Sequence, residues 1–507
     1  MNDSIWKLLS AGSDNATAIS APGAAALTFS GLRDLVQRTV ADLNARGIGR
    51  GARVAIVLPN GPEMATVFLS VAAGATAAPL NPAYRLQEFE FYMSDLGASL
   101  LICQKDIDTP AREAAAKLGV PILELVADGS GFAGSFEFTG SRTEGSVGIF
   151  AEANDVALVL HTSGTTSKPK IVPLTQRNVT TSAANITAAT QLTSHDRCLN
   201  IMPLFHIHGL IAALLAPLSV GGSVCCTPGF NALKFFSWMS EAAPTWYTAV
   251  PTMHQAILAR AGHNREIIDR QPLRFIRSSS SALPPQIITE LEAVFGCPVL
   301  EAYGMTEAAH QMASNRLGQI VRKPGSVGQA AGPEIAIMNE NGDLLRQGET
   351  GEIVIRGPNV TLGYENNPGA NATAFQDGWF RTGDQGVLDQ DGHLRVTGRL
   401  KEIINRGGEK VSPREVDEVL MDHPGVAQAV TFAVPHDKLG EDVAAAVVLK
   451  EGANATAKEL RQFASDRLAT FKVPRKLVIL DEIPKGPTGK LQRIGLAEVL
   501  SSTLREL

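Results

Sequence analysis

The chain has 507 residues, 44% of them hydrophobic and 19% charged, with a net charge of −6. That length and composition predict roughly three domain-sized units around a large core and argue against a disordered chain. The acidic balance argues against a nucleic-acid binder, which carries a basic field.

The N-terminus lacks the basic and apolar regions of a signal peptide. From 32 to 43, Leu32, Leu35, Val36, Val40 and Leu43 recur at helical spacing, and Gly47 follows as a stop. A strand is then expected over 54–58, a helix over 62–73, a strand over 77–80, a helix over 86–96 and a strand over 100–103. This alternation predicts a parallel sheet covered by helices. The apolar run 64–80 is interrupted by Thr66, Ser70, Gly74 and Thr76, and the run 210–220 contains Pro217, so both read as core helices and no membrane span is expected. Residues 156–160 form a buried strand that leads into His161-Thr-Ser-Gly-Thr-Thr-Ser-Lys-Pro-Lys170. Hydroxyls, backbone N–H groups and lysines on such a loop suit a polyphosphate. It is not a Walker A loop, because Lys168 precedes Pro169 and no Gly-Lys-Ser/Thr opens a helix. Taken alone, a Ser/Thr-rich surface loop fits equally well.

The α/β texture returns with helices near 180–190 and 284–295 and strands near 246–250 and 274–278. Two α/β lobes are therefore expected over about 1–325. Over 326–398, short strands at 334–338, 352–356, 386–389 and 394–397 are separated by Asn-Gly or Asp-Gly turns and predict a β-rich subdomain. From 399 to 507, helices near 413–421 and 457–468 alternate with strands near 426–434, 443–449 and 476–479. The expected fold is thus α/β: a large N-terminal domain, 1–398, and a small α+β C-terminal domain, 399–507. The five cysteines, Cys103, Cys198, Cys225, Cys226 and Cys297, are scattered without metal spacing and read as reduced thiols of a cytoplasmic protein. The C-terminal Arg-Glu-Leu is not a peroxisomal address.

Four further motifs follow the loop in order: Glu301-Ala-Tyr-Gly-Met-Thr-Glu307, Phe380-Arg-Thr-Gly-Asp384, Gly398-Arg-Leu-Lys-Glu402 and Pro487-Thr-Gly-Lys490. Together the five resemble the ordered motifs of the adenylate-forming (ANL) superfamily, which holds acyl-CoA synthetases, adenylation domains and luciferases. The resemblance implies ATP, Mg2+ and coenzyme A as reactants and cofactor, and a carboxylic acid as the partner. It implies that Thr162, Ser163, Gly164, Thr165, Thr166 and Lys170 hold the β- and γ-phosphates, although Ser167 and Ile171 stand where the family has glycine. It further implies that Glu301, Ala302 and Tyr303 line the adenine, with the Tyr303 ring stacked on it, and that Thr306 meets the α-phosphate. Glu307 is the expected Mg2+ ligand, since that hard cation takes carboxylate and phosphate oxygens. Asp384 is placed on the ribose, with Arg399 beside it. Lys490 is carried on the mobile C-terminal domain and bridges the acid and the α-phosphate. Lys401 is the hinge, and rotation there brings Gly407, Gly408 and Lys410 onto the CoA path. Plainer readings stay open: a core aromatic for Tyr303, a solvated glutamate for Glu307, a turn aspartate for Asp384 and surface lysines for Lys401 and Lys490.

Pro203-Leu-Phe-His-Ile-His208 is not a metal site, for want of further ligands. By resemblance His206 lies beside the substrate carboxylate, and His208 is structural. The acyl pocket is expected from 246–254, 277–282 and the segment after Glu307. Coumarate–CoA ligases are broadly similar, but they carry small or apolar residues along this wall and proline where His310 stands. Here Ser278, Ser279, Ser280 and Ser281 are consecutive. His206, Ser280 and His310 together predict a small polar pocket suited to a second carboxylate, whose burial without donors is costly. The runs 246–252, 274–278 and 404–410 look closest to those of oxalate–CoA ligases. A short dicarboxylate, oxalate first, is the expected acid. The alternatives are a medium-chain or aryl acid–CoA ligase, a carrier-loading adenylation domain, a luciferase-like oxidase and a nucleotide-binding regulator. Monomer and homodimer are both compatible with the sequence.

Overall fold

The structure is a computed structural model that describes residues 3–140, 148–162, 169–318, 322–323, 325–484 and 493–505. Two large sheets carry the first two-thirds of the chain. One runs Phe136–Phe138, Ile122–Ala127, Leu100–Gln104, Arg53–Val57, Thr76–Pro79, Val156–His161, Ile171–Thr175 in spatial order. Its interior is parallel and its two edges are antiparallel. Strands such as Arg53–Val57 and Thr76–Pro79 are buried along nearly their whole length, as expected where helices cover both faces of a parallel sheet. The helix Pro62–Gly74 is buried at every residue from Met64 onward, because it is apolar on all sides. Among the described residues no helix is long and apolar enough to cross a membrane.

The second sheet has nine strands in the order Gln329–Ala330, His310–Ser314, Val299–Met305, Phe275–Ser278, Trp246–Ala249, Arg197–Asn200, Ser223–Cys226, Thr17–Ser20, Leu27–Thr28. The sequence reading placed no strand before residue 54. Thr17–Ser20 nevertheless runs parallel to Ser223–Cys226, with Ile19 opposite Val224. Four small residues give too short a pattern to identify locally, and only the distant partner defines the strand.

A five-stranded sheet follows, built from Glu334–Met338, Thr350–Arg356, Trp379–Leu388, Phe375–Gln376 and Leu394–Arg399. Trp379–Leu388 is one ten-residue strand, where the sequence suggested only its last part. The Phe380–Asp384 motif therefore lies within a strand, broken by Gly383 at φ +73°. A last sheet joins Glu409–Val411, Ile404–Arg406, Gly440–Leu449, Val426–His436 and Lys476–Ile479, covered by Pro413–Met421 and Ala457–Ser465. It touches the rest of the molecule through polar contacts. Leu400 N donates to Gly383 O at 2.9 Å, Gln255 Nε2 donates to Ala427 O at 3.4 Å, and Ser412 Oγ donates to Thr397 O. All five cysteines are free and buried, and burial pushes the Cys225 thiol up to about 11 and the Cys297 thiol up to about 12. Such thiols stay protonated and unreactive.

Candidate active site

The hydroxyl-rich loop leaves the first sheet between two antiparallel strands, Val156–His161 and Ile171–Thr175. Its neck is closed by a reciprocal pair. Thr162 N donates to Lys170 O at 3.0 Å, and Lys170 N donates to Thr162 Oγ1 at 3.2 Å. Ser163, Gly164, Thr165, Thr166 and Lys490 lie outside the described residues. The Lys170 ammonium sits 4.4 Å from the centre of the Tyr364 ring, a cation–π contact. The Tyr364 hydroxyl in turn donates to Glu307 Oε1 at 2.8 Å. Lys170 and Glu307, 137 positions apart in sequence, thus meet on one tyrosine that sequence reading did not single out.

Glu307 lies on a short 3-10 turn, Thr306–Ala308, after strand Val299–Met305. It is 6% exposed, and burial raises its carboxyl pKa, with Tyr364, Arg399 and Lys170 opposing. A buried carboxylate short of positive charge, with oxygen donors only, fits Mg2+. Thr306, next to it, is half-buried.

Tyr303 and Asp384 are brought together from different sheets. The Tyr303 hydroxyl donates to Asp384 Oδ2 at 2.6 Å, while Arg399 Nε lies 3.2 Å from Asp384 Oδ1. Arg399 stands directly opposite Asp384 across the strand pair, and Asp384 raises the guanidinium pKa. Glu352 holds the turn before Asp384: Gly383 N donates to its Oε1 at 2.9 Å, and Arg381 Nη2 lies 2.6 Å from Oε2. The tyrosine is tethered by its hydroxyl, and its body packs against two apolar clusters.

Glu301 is 4% exposed and Ala302 is also buried. Burial pushes the Glu301 carboxyl up to about 8, against Arg414 and a hydrogen bond from the Leu283 backbone. In the folded state Glu301 keeps a proton that the unfolded chain loses above 4.5. Its contribution is therefore fully present at low pH and is lost as pH rises toward about 8. Glu301→Gln is expected to flatten the fall in thermal stability between pH 4.5 and about pH 8, as read by melting curves. Parallel curves for the two proteins would reject this.

The segments expected to form the pocket wall come together at three strand ends and the start of a π-helix, His208–Leu215. The His310 ring stacks on His208, with centroids 4.8 Å apart and 19° between planes. His208 Nδ1 is 3.0 Å from Ser280 Oγ, and Nε2 is 2.7 Å from Thr248 Oγ1. Ser280 and His310 both take positive φ, +72° and +95°. Such backbone costs on the order of 1–3 kcal/mol per residue and clusters at functional sites. Behind the wall Arg277, fully buried, reaches His208 Nε2 at 3.4 Å and donates to Gln311 Oε1 at 3.2 Å. His206 lies two residues before His208, half-buried, its ring 4.9 Å from that of Phe205. Arg277, Thr248 and Gln311 were not singled out from sequence. A lone arginine inside the apolar stretch Phe275–Ser278 was the available signal.

The C-terminal candidates form a separate group. Ile404–Arg406 and Glu409–Val411 make a hairpin whose turn is Gly407–Gly408, both at positive φ, the combination a type I′ turn requires. Gly407, Gly408 and Lys410 are exposed at its tip, as is Lys401. Arg493, three residues past Lys490, is an unanticipated anchor. It donates to Thr431 O at 3.0 Å and pairs with Asp417 at 2.6 Å and Glu402 at 3.4 Å.

Comparison with known proteins places the whole chain. Residues 10–365 match the family described as AMP-binding enzyme, and residues 415–490 match the AMP-binding enzyme C-terminal domain. An oxalate–CoA ligase of Arabidopsis thaliana is 47% identical over 94% of this chain and 94% of its own. One from Saccharomyces cerevisiae is 42% identical over 89% of this chain and 87% of its own. Among solved structures, ATP-bound MatB from Rhodopseudomonas palustris superposes with a TM-score of 0.90 at 30% identity, covering 99% of this chain and 100% of that one.

Proposed function

The chain belongs to the AMP-binding enzyme family, and from that premise we propose that the acid it activates is oxalate. It is an ATP-dependent acid–thiol ligase that works with Mg2+ and coenzyme A. A carboxylate oxygen attacks the α-phosphorus of ATP and expels pyrophosphate. The CoA sulfur then attacks the acyl carbon of the adenylate and expels AMP.

Residue roles follow from charge and reach. Lys170 and the Thr162 loop bind the β- and γ-phosphates. Thr306 donates to the α-phosphate. Asp384 accepts from the ribose hydroxyls, with Arg399 paired beside it, and the Tyr303 ring packs on the adenine. Mg2+, when bound, is held by Glu307 and supplies neutralising charge to the triphosphate. Lys490 sits between the acid and the α-phosphate, and rotation at Lys401, between domains 1–398 and 399–507, exchanges it for the Gly407–Gly408 turn and Lys410.

The observation that carries the choice of acid is the wall itself. Ser280 and His310 carry the polar atoms of the wall, the buried Thr248, His208 and Arg277 back them, and none of these five is acidic. A pocket of donors with a cation at its back favours an acid whose far end is itself a carboxylate. His206 borders the same acid from the π-helix side. Pyrophosphate release against a panel of acids is expected to rank oxalate first, with malonate and acetate well below. Turnover of cinnamates or fatty acids with none of oxalate would reject the assignment, and transfer to a phosphopantetheinylated carrier in preference to CoA would reject CoA as the acceptor.

A further inference from the structure

Arg277 is a full cation at zero exposure. Among the described residues it forms no ion pair with a carboxylate, and its Nε has no hydrogen-bond partner. Burial pulls its pKa down to about 9. Burying such a charge is expensive, and the side chains that meet it, Gln311 and His208, are neutral acceptors rather than carboxylates.

Its contacts have a direction. Arginine carries only donors, so His208 Nε2, 3.4 Å from Arg277 Nη1, must present its lone pair. Thr248 Oγ1, 2.7 Å from the same nitrogen, must then donate to it as well. The ring proton is thereby assigned to Nδ1, which donates to Ser280 Oγ at 3.0 Å. Ser280 accepts from His208, so its own hydroxyl hydrogen points elsewhere. Ser280 is half-buried and lies two residues past the strand Phe275–Ser278, at φ +72°.

We propose that Arg277 and Thr248 fix the tautomer of His208, and that His208 thereby holds the Ser280 hydroxyl as a standing donor to the non-reacting carboxylate of a short dicarboxylate. His208 and Arg277 are positioning residues that select dicarboxylates over monocarboxylates without touching the reacting atoms. The inference rests on the acid pocket assigned above. It goes further in making selectivity depend on which imidazole nitrogen carries the proton.

Asparagine places an amide N–H where Nδ1 stands, whereas glutamine reaches toward Nε2 and leaves Ser280 without its donor. The test uses the full-length enzyme and compares kcat/KM for oxalate with kcat/KM for acetate. His208→Gln is expected to lower the oxalate-to-acetate ratio by about tenfold or more, and His208→Asn by less than about threefold, with KM for ATP unchanged in both. Arg277→Gln is expected to behave like His208→Gln. Should the buried-site variants fail to fold, the isosteric Thr248→Val carries the same test, with a fall of about threefold expected from loss of one neutral donor. Equal effects of His208→Asn and His208→Gln, or equal losses on oxalate and acetate in Arg277→Gln or Thr248→Val, overturn the relay while leaving the assignment of oxalate standing. A wild-type enzyme that activates no dicarboxylate at all overturns both.

Discussion

Lys490→Ala is expected to slow ATP–pyrophosphate exchange by on the order of 10²-fold or more. In the first half-reaction two anions are pushed together, and the attacking carboxylate and the α-phosphate both carry charge in the transition state. A lysine between them supplies attraction that grows as the bond forms, the kind of interaction that lowers a barrier rather than only tightening binding. In the second half-reaction the attacker is a thiol and the leaving group is AMP, and the proposed hinge at Lys401 has by then carried Lys490 away. Thioester formation from preformed acyl-adenylate is therefore expected to fall much less. Separate assays of the two half-reactions decide the matter, and equal losses in both would remove Lys490 from its assigned step. Arg493 extends the prediction. It ties the segment just after Lys490 to Asp417, Thr431 and Glu402, so Arg493→Met is expected to reproduce part of the adenylation defect while the lysine itself is intact.

Gly304→Ala is expected to be the most damaging single-atom change in the site. The strand Val299–Met305 crosses His310–Ser314 with a register shift between Tyr303 and Gly304, and a Cβ at 304 would lie 1.7 Å from the His310 carbonyl oxygen. That oxygen belongs to backbone, so neither strand can yield without moving Tyr303, Glu307 or His310. Overpacking of this kind costs about 1–3 kcal/mol where side chains can adjust, and more where they cannot. The expected result is a lowered melting temperature together with loss of exchange activity. An alanine variant that melts with the wild type and retains full activity would show that the close approach is dispensable.

Much of this site was legible because its pieces are local. The hydroxyl loop, the Glu301–Glu307 run and the Phe380–Asp384 run each carry their chemistry within ten residues, and the helical and strand periods around them identify the α/β frame. What sequence reading could not supply were the pairings. Tyr364 meets both Lys170 and Glu307, and Tyr303 meets Asp384 across 81 positions. No local period encodes such contacts; they arise only when one sheet is laid against another. Arg277 stands between these cases. Its segment was expected to line the acid pocket, but the residue itself was passed over, although a charge inside the otherwise apolar approach to Ser278 marks a buried polar network. His208 was expected to be structural, and it is buried with partners on both ring nitrogens, Ser280 and Thr248, that no local pattern announces. The N-terminal strand was missed for a different reason, since Thr17–Ser20 has no amphipathic signature of its own and is defined by its neighbour.

That strand also constrains biosynthesis. Ile19 and Ser20 pair with Val224 and Cys225, so this short segment waits for some 200 more residues, about 10–40 s at ordinary elongation rates, before its neighbour exists. The seven-stranded sheet, complete by Thr175, emerges well before that time. Maturation is thus split: one lobe closes early around local contacts, while Thr17–Ser20 stays without its parallel neighbour until the nine-stranded layer arrives to capture it. Removing Thr17–Ser20 would therefore also cut loose Leu27–Thr28, the outermost ribbon of the later sheet, which pairs with nothing else in it.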